Sequence, residues 1–492
     1  MTFNNIGQLN YDTGAGIWSL LLDIKCIVFD QGLWVTGKIN NEPKLSIVEW
    51  RSTYSPGPII DGQAAMLIQP EDSLRYRIYK ISRGDDSLSN PDYAEWPEDF
   101  GAPVNEDGTP KIFADQTLFS VYNGIDSTQE IRTWFIDNKI PPMPVEVQQL
   151  VYAHSGNFSD YEDIFSNTVF LEYTIINDGD SQIDSAFIGF WTDIDFDFYS
   201  HNFPAVDTTI NLGYCWSDQN NNNGVTPAVG YKLIYGPVIE SPADTAIFRG
   251  RIVTGFKNLE LYSFHGIRGD TPNPLEREAW SVQDAWNFAR GLDGDGNIII
   301  DPVTGLPTRF PFNGDPVNNT GWLFEGTTGG EAGFVFFSGP FDLAPADTQW
   351  VMIALIPALG RNNLESIQLL REKAELLNSL PYDSLAFGTG NYFITDLQNE
   401  QVNIPAEYFL DQNYPNPFNP VTKISYEIPT AGKVTLTVFD VLGRKVANLV
   451  NEEKSPGRYS VEFNAAGLAS GVYFYRLESL AYSKTKKMIL LR

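Results

Sequence analysis

The chain is poor in the residues that most often carry chemistry: two cysteines, three histidines and five methionines among 492 residues. With only Cys26 and Cys215, a disulfide-stapled scaffold is excluded. One long-range bridge and two buried free thiols are both compatible with the pair, because a bridge needs Cα atoms within about 7 Å and spacing along the chain does not show that. His154, His201 and His265 stand far apart, and none has a cysteine or second histidine at metal-ligand spacing, which excludes the compact zinc motifs. Ser155-Gly156 beside His154 lack a nucleophile-elbow pattern, so a histidine-assisted hydrolase would have to assemble its residues across the fold. Basic residues are scarce as well: 33 Lys and Arg face 62 Asp and Glu, for a net charge of -29. That sign repels nucleic acid and anionic lipid, so neither is an expected partner. No apolar run is long enough to span a bilayer. Residues 17–28 are interrupted by Asp23 and Lys25, which disqualifies them as a signal-peptide core too.

What the chain has is aromatic β-forming sequence. Hydrophobic residues make up 42% and aromatics 13%, ample for substantial cores in a chain long enough for about three domains. Aromatic and β-branched runs set among Asn, Asp and Gly point to secreted β architecture. In the body, residues 24–39 read as two strands around an Asp30-Gln31-Gly32 turn, and 74–81 as a further strand. Residues 82–115 hold Pro91, Pro97, Pro103 and Pro110 and form no long helix. They read as an ordered surface excursion packed by Tyr93, Trp96 and Phe100, with a disordered segment as the competing reading.

Strands resume at 145–152, 169–176 and 183–190. Phe170, Glu172 and Thr174 alternate with Val169, Leu171, Tyr173 and Ile175, which predicts a sheet with one wetted face. Asn177-Asp178-Gly179-Asp180 reads as a hairpin turn. Later strands are expected at 231–235, 333–339 and 350–356. Two helices interrupt them. Residues 363–380 put Ile367, Leu370, Ala374 and Leu377 on one stripe with Asn363 as cap, and 275–289 form a weaker helix with Glu276, Glu278 and Asp284 outward. Residues 387–406 read as a last strand and a linker.

Clustered carboxylates are the most chemical feature of the body. Asp193, Asp195 and Asp197 alternate along a strand end, which would place them on one face about 6 to 7 Å apart. Like charges that close are costly unless a cation or solvent separates them, so calcium binding and simple solvation both fit. Asp293, Asp295, Asn297 and Asp301 fill positions 1, 3, 5 and 9 of a calcium loop, but Ile298 and Thr304 stand where an EF-hand has Gly and Glu. A calcium loop of another kind or an ordinary glycine-rich turn would carry these residues equally well. Ser217-Asp218-Gln219 and the asparagines at 220–223 offer further oxygens.

The last 82 residues differ in kind. Residues 411–492 hold 11 Lys or Arg against 7 Asp or Glu, leaving 22 basic and 55 acidic residues in the body. Short strand-like runs at 421–428, 433–440, 459–463 and 471–477 are separated by Pro- and Gly-bearing turns, implying six or seven strands closed face to face. Pro415, Pro417 and Pro420 make the leading segment stiff and extended. NYPNPFNP (413–420), FDVLGRKV (439–446), GVYFYRL (471–477) and the closing KKMILLR occur in order over the whole length of this tail. It resembles the type A sorting domain of the type IX secretion system of Bacteroidota and related bacteria. The resemblance implies passage across the outer membrane, removal of the domain and release or surface anchoring of the remainder. It also implies a signal peptide upstream of the chain's start. An immunoglobulin-like stalk domain with no addressing role is the alternative.

EWPEDFGAP (95–103), NTVFLEYTIIN, GFWTDIDFD, PAVGYKLIYGP and SGPFDLAPADTQW make the body similar to secreted proteins of Ignavibacteria-like bacteria carrying such a tail, a likeness that implies location but no chemistry. The expectation is thus a mainly β chain, with a large β-sandwich-type body bearing short helices and a small immunoglobulin-like β-sandwich after it. Its parts would be a β-rich region at 1–140, the sandwich at 141–398, a linker at 399–412 and the sorting domain at 413–492. Two functional classes follow. One is an exported structural or binding protein with a glycan or surface-protein ligand, served by the type IX machinery. The other is a secreted carbohydrate-active hydrolase with paired carboxylates, for which Glu172 and Asp193 are one arbitrary choice.

Overall fold

The computed structural model describes residues 28–49, 52–126, 136, 140–154, 167–194, 196, 201–219, 226–269, 271–325 and 332–378, then 408–410, 413, 416, 418–430, 432–454, 457–479 and 482–491. The chain divides into two compact units, Met1–Gly390 and Asn391–Arg492.

The body is a sandwich of two antiparallel sheets. One has five strands in the order Leu261–Arg268, Ala332–Leu343, Ile183–Ile194, Val28–Ile39 and Glu42–Ser46. The other has nine. Phe203–Asp207, Leu212–Trp216, Ala228–Tyr235, Thr348–Ala358, Val169–Asn177, Val145–Ala153, Gln116–Asn123 and Ser55–Pro56 follow one another, and Tyr79–Ser82 also pairs with Gln116–Asn123. The region expected at 1–140 therefore contributes strands to the same two sheets as the later chain.

Alternation fixes which side chains meet between the sheets, because successive residues of a strand point to opposite faces. Leu171, Tyr173, Ile175, Val351 and Ile353 of the nine-stranded sheet share one core with Val35, Ile188, Phe190, Phe334 and Phe336 of the other. Each such burial contributes about 1.5–3 kcal/mol. The five-stranded sheet is apolar on its second face as well: Trp34, Phe187, Trp191 and Phe337 pack there with Trp286 and Phe288 of helix Val282–Ala289.

Several sequence expectations change. The stretch Asp30-Gln31-Gly32 is no turn, because strand Val28–Ile39 runs straight through it. Gly32 marks a close approach, since a Cβ there would lie 2.3 Å from Val48 Cβ. The reversal comes later at Asn40-Asn41, both at positive φ. Residues 70–75 form a 3-10 turn, so the strand expected at 74–81 is only Tyr79–Ser82. The hairpin expected at 177–180 is also corrected, because strands Val169–Asn177 and Ile183–Ile194 belong to different sheets. The buried Asn177 amide donates to Ser181 O and Leu343 O and accepts from Gly179 N, turning the chain across the sandwich. Alternation plus a polar turn is the same signal for an arch between sheets and for a hairpin within one.

The helices hold with altered ends. Ile367, Leu370, Ala374 and Leu377 of helix Asn363–Asn378 are fully buried, but Asn362 supplies the capping oxygen, accepting from Glu365 N at 2.9 Å. The second helix starts only at Val282, where Ser281 Oγ accepts from Asp284 N. Glu278 and Asp284 are buried rather than outward, and Asp284 meets Arg277 at 2.9 Å. The strand and linker expected at 387–406 lie outside the described residues.

The tail is a second sandwich. Phe409–Leu410, Val421–Ile428 and Gly457–Asn464 form one sheet; Lys445–Lys454, Gly432–Phe439, Gly471–Ser479 and Tyr482–Leu490 form the other. Ile424, Tyr426, Val434, Leu436, Tyr475 and Met488 fill its core. The separate sequence motifs meet here. Asn413 N donates to Tyr475 Oη at 2.8 Å, and its Nδ2 donates to Thr422 Oγ1 at 3.0 Å. Asn416 Oδ1 accepts from Ile489 N, while Phe418 N donates to Ile489 O and Leu491 N to Phe418 O, each at 2.9 Å. The proline-rich leader is thus stitched along the last strand.

All 11 tryptophans precede residue 351, so the tail unfolds without a tryptophan signal. Asn413→Ala is expected to lower tail stability by about 1–3 kcal/mol in urea, followed by far-UV circular dichroism. The tryptophan-reported transition of the body should stay in place. Equal displacement of both transitions would show that the motif is no local clamp.

Candidate functional site

The face of the nine-stranded sheet turned away from the sandwich core carries Phe119, Gln148, Leu150, Glu172, Thr174 and Trp350. Register places Leu150 opposite Phe119 and Glu172, and Thr174 opposite Gln148 and Trp350. This is the side expected to be wetted, yet Phe170 is 0%, Thr174 6% and Glu172 9% exposed. Two coverings exclude the water.

The first is the 82–115 excursion, which is ordered. Its side chains dock on the sheet, with Trp96 in ring contact with Tyr79 and Phe119 and Phe100 with Tyr76, while Tyr93 is only half-buried. Phe113 stacks on Tyr152, which in turn stacks on Phe170. Gly101 sits at φ +88, and a Cβ there would come 2.4 Å from Gln148 Nε2, so only glycine lets the loop descend onto that amide.

The second covering is a two-stranded ribbon, Val238–Phe248 with Arg251–Asn258. Arg249 and Gly250 both have positive φ, as a two-residue turn of the kind that matches strand twist requires. Gln349 holds the ribbon's base through both ends of its side-chain amide, Nε2 donating to Val238 O and Oε1 accepting from Val238 N. At the tip, Arg249 is exposed as a residue, but its guanidinium reaches the sheet. Nη2 donates to Thr174 Oγ1 at 3.0 Å and to Gln148 Oε1 at 3.2 Å.

Between sheet and coverings lies a cavity of about 190 Å³, lined by Lys111, Phe113, Gln148, Glu172, Arg249 and Trp350 among others. Glu172 is held at both oxygens: Tyr152 Oη donates to Oε1 at 2.8 Å and Trp350 Nε1 to Oε2 at 3.0 Å. Burial pushes its carboxyl above the usual range, against the lowering effects of those hydrogen bonds and of the charges on Lys111 and Arg249. Lys111 lies with Nζ 5.1 Å from the Phe113 ring centre, and burial pulls its pKa down. Among the described residues no carboxylate stands within ion-pair distance of Lys111 or Arg249. A larger cleft of about 380 Å³ at the ribbon's base has Lys257 beside Asp244 and Glu260, so it carries no positive excess.

The sequence pointed elsewhere. Asp193 is 3% exposed within strand Ile183–Ile194, opposite Asp30 and Gly333, and Asp195 and Asp197 lie outside the described residues. Glu172 and Asp193 stand on different sheets. Asp293 Oδ1 accepts from Asn297 N at 2.8 Å and from Asn297 Nδ2. Asp295 pairs with Arg277 at 3.0 Å. Asp301 belongs to the next turn, where Oδ1 accepts from Val303 N and Thr304 N. Among the described residues no three His, Cys, Asp or Glu side chains are grouped as a metal site would need.

Cys215 is a buried free thiol, and Cys26 lies outside the described residues. His154 and His265 are buried, which lowers each pKa to about 4 and keeps both rings neutral at pH 7. His265 stacks on Phe288 and bonds Arg277 O, a structural role. His201 contacts Asp218 at 2.9 Å and Gln219 at 3.1 Å on the surface. Lys111, Arg249, Gln148 and Trp350 were not singled out from sequence. Arg249-Gly250 between two strand-like runs was a readable turn signal, but what the turn covers is a long-range property.

Because the acids at 293–301 already have protein donors, replacing EDTA with millimolar calcium is expected to change the body's melting temperature by less than about 1 °C. A rise of several degrees would establish an ion at one of these loops.

Residues 412–491 match the secretion system C-terminal sorting domain family. That tail marks the chain for export through the type IX secretion system, as a secreted or cell-surface protein that meets the secretion machinery. No helix of the described residues is long and apolar enough to cross a membrane. No curated protein matches the chain. Among solved structures, a polysaccharide lyase aligns at 8% identity and a TM-score of 0.24 over 93% of this chain and 39% of that one. The adhesin domain of Epf from Streptococcus pyogenes aligns at 8% identity and 0.14, over 76% of this chain and 89% of that one. Dimeric latent PorU from Porphyromonas gingivalis aligns at 10% identity and 0.16, over 79% and 33%. The chain thus spans well under half the length of the lyase and of PorU, and superpositions this loose carry no inference about activity.

Proposed function

We infer that the chain is an exported binding protein of the cell surface or extracellular space, with a non-catalytic body whose outer-face cavity is the ligand site. The observation that carries this reading is the state of Glu172. Among the described residues it is the one acid lining the cavity, and each of its oxygens accepts a hydrogen bond, from Tyr152 and from Trp350. Glycoside hydrolysis by paired carboxylates needs two acids roughly 5 to 10 Å apart across the scissile bond. Held by two donors, Glu172 has no second acid beside it among the described lining residues. What it does instead is fix the sheet face on which a ligand would rest, while Lys111 and Arg249 give the lining one cation more than it has acids. The tail is the address, and its strands form their own core.

Deleting residues 412–492 in a host with a type IX system is expected to leave the body inside the cell envelope, while the full chain appears at the surface or in the medium. Immunoblotting of the fractions decides the matter. Equal delivery of both chains would contradict the export reading.

A further inference from the structure

The outer-face cavity is lined by more basic than acidic side chains. The body carries 22 basic and 55 acidic side chains, so a cavity lined by more cations than acids stands against the overall sign of the molecule. Arg75, Arg77, Arg83, Arg268, Arg277 and Arg371 all meet carboxylates. Among the described residues no carboxylate stands at ion-pair distance from Lys111 or Arg249, which line one cavity from two unrelated segments, the excursion and the ribbon tip. Two cations against the single carboxyl of Glu172 leave the cavity with a positive excess. Two partly desolvated cations that share one nearby carboxyl are under-compensated, and an anionic ligand lowers that cost.

The remaining lining narrows the ligand. Gln148 and Thr174 are hydrogen-bonding groups beside the cations, and Phe113 and Trp350 are flat apolar walls. Gln148 Oε1 and Thr174 Oγ1 already accept from Arg249, and each side chain keeps further hydrogen-bonding capacity that a sugar hydroxyl can meet and a purely hydrocarbon acid cannot, whereas an inorganic anion would leave the walls uncovered. A carboxylate on a hydroxyl-bearing ring satisfies both, and a cavity of about 190 Å³ has room for about one such ring.

We propose that the cavity binds the carboxylate of a single acidic sugar unit, of the uronic acid class, with Lys111 and Arg249 on the carboxylate and Gln148 and Thr174 toward its hydroxyls. The assignment rests on the reading of the body as a non-catalytic binding module and names the ligand of that same site. Arg249 arrives on a two-residue turn at the end of an isolated ribbon, so the ligand carboxylate would also tie the ribbon tip to the sheet.

The test is calorimetric titration of the full chain with glucuronate and galacturonate, with glucose as the neutral ring and N-acetylglutamate amide as the carboxylate without a sugar ring. At least one uronate is expected to bind saturably, at least ~10-fold more tightly than glucose or the glutamate derivative. Lys111→Gln and Arg249→Gln should each weaken that binding ~10-fold or more with the tryptophan-reported unfolding midpoint unchanged. Arg249→Lys, which keeps charge but loses the planar fork, should fall between wild type and Arg249→Gln. The proposal is overturned if glucose binds as well as the uronates, if N-acetylglutamate amide binds best, if neither glutamine variant weakens binding, or if no probe binds at 20-fold above ~1 mM. Proton NMR of the same mixtures, extended to uronate oligomers, separates the two readings. New product signals would overturn the non-catalytic reading while leaving the site in place. Absent binding with the sugars intact would overturn the ligand assignment alone.

Discussion

The body depends on a carboxyl placed where carboxyls are usually excluded. Glu172 stands on a sheet face largely covered by a loop and a ribbon, and it persists there because Tyr152 and Trp350 each give it a hydrogen bond. The same two donors would be stranded without it. Tyr152 lies between the rings of Phe113 and Phe170, so the excursion that brings Phe113 is tied to the acid through one aromatic stack. On the other side Trp350 packs near Phe248 at the ribbon, which delivers Arg249. Loop, sheet and ribbon are thus organised around a single side chain.

Alternation made half of this legible in the sequence. It separated Leu171, Tyr173 and Ile175 from Phe170, Glu172 and Thr174, and the two sets do fall on opposite faces. It did not show that the second face is dry, because the coverings come from about 60 residues before and 75 after Glu172, and periodicity within a strand carries no information about them. The arch at Asn177 was missed for a related reason. A turn motif reports a reversal, while the sheet that the next strand joins is decided by distant partners such as Leu343. The helix at 363–378 was legible because its stripe is local and wholly apolar, and the acids of the other helix were misplaced because Arg277, which buries Asp284, lies outside the helix.

The spaced aspartates show how little spacing alone decides. Asp293, Asp295 and Asn297 follow a pattern that metal loops use, but the same spacing suits a turn in which a carboxylate accepts from backbone and amide donors nearby. Spacing alone does not separate a loop that awaits an ion from one already satisfied. In the tail, by contrast, sequence motifs and structure agree closely. The asparagines and phenylalanine of the leader bond the strands that carry the later motifs, which explains why that segment is specific in sequence although it is neither helix nor long strand.

The most direct test of the buried, clamped carboxyl is its pH signature. Burial raises the folded-state pKa of Glu172 above its unfolded value, so the protonated form is favoured by folding. Its contribution is therefore fully present below the unfolded value of about 4.5 and is lost as pH rises through the higher folded value. Urea unfolding of wild type and Glu172→Gln, followed by tryptophan fluorescence from pH 4.5 to 8 in about half-unit steps, isolates it. The account predicts that wild type is most stable relative to the variant at the acid end and loses that margin toward neutral pH. A difference that does not vary with pH, or that grows as pH rises, would contradict it.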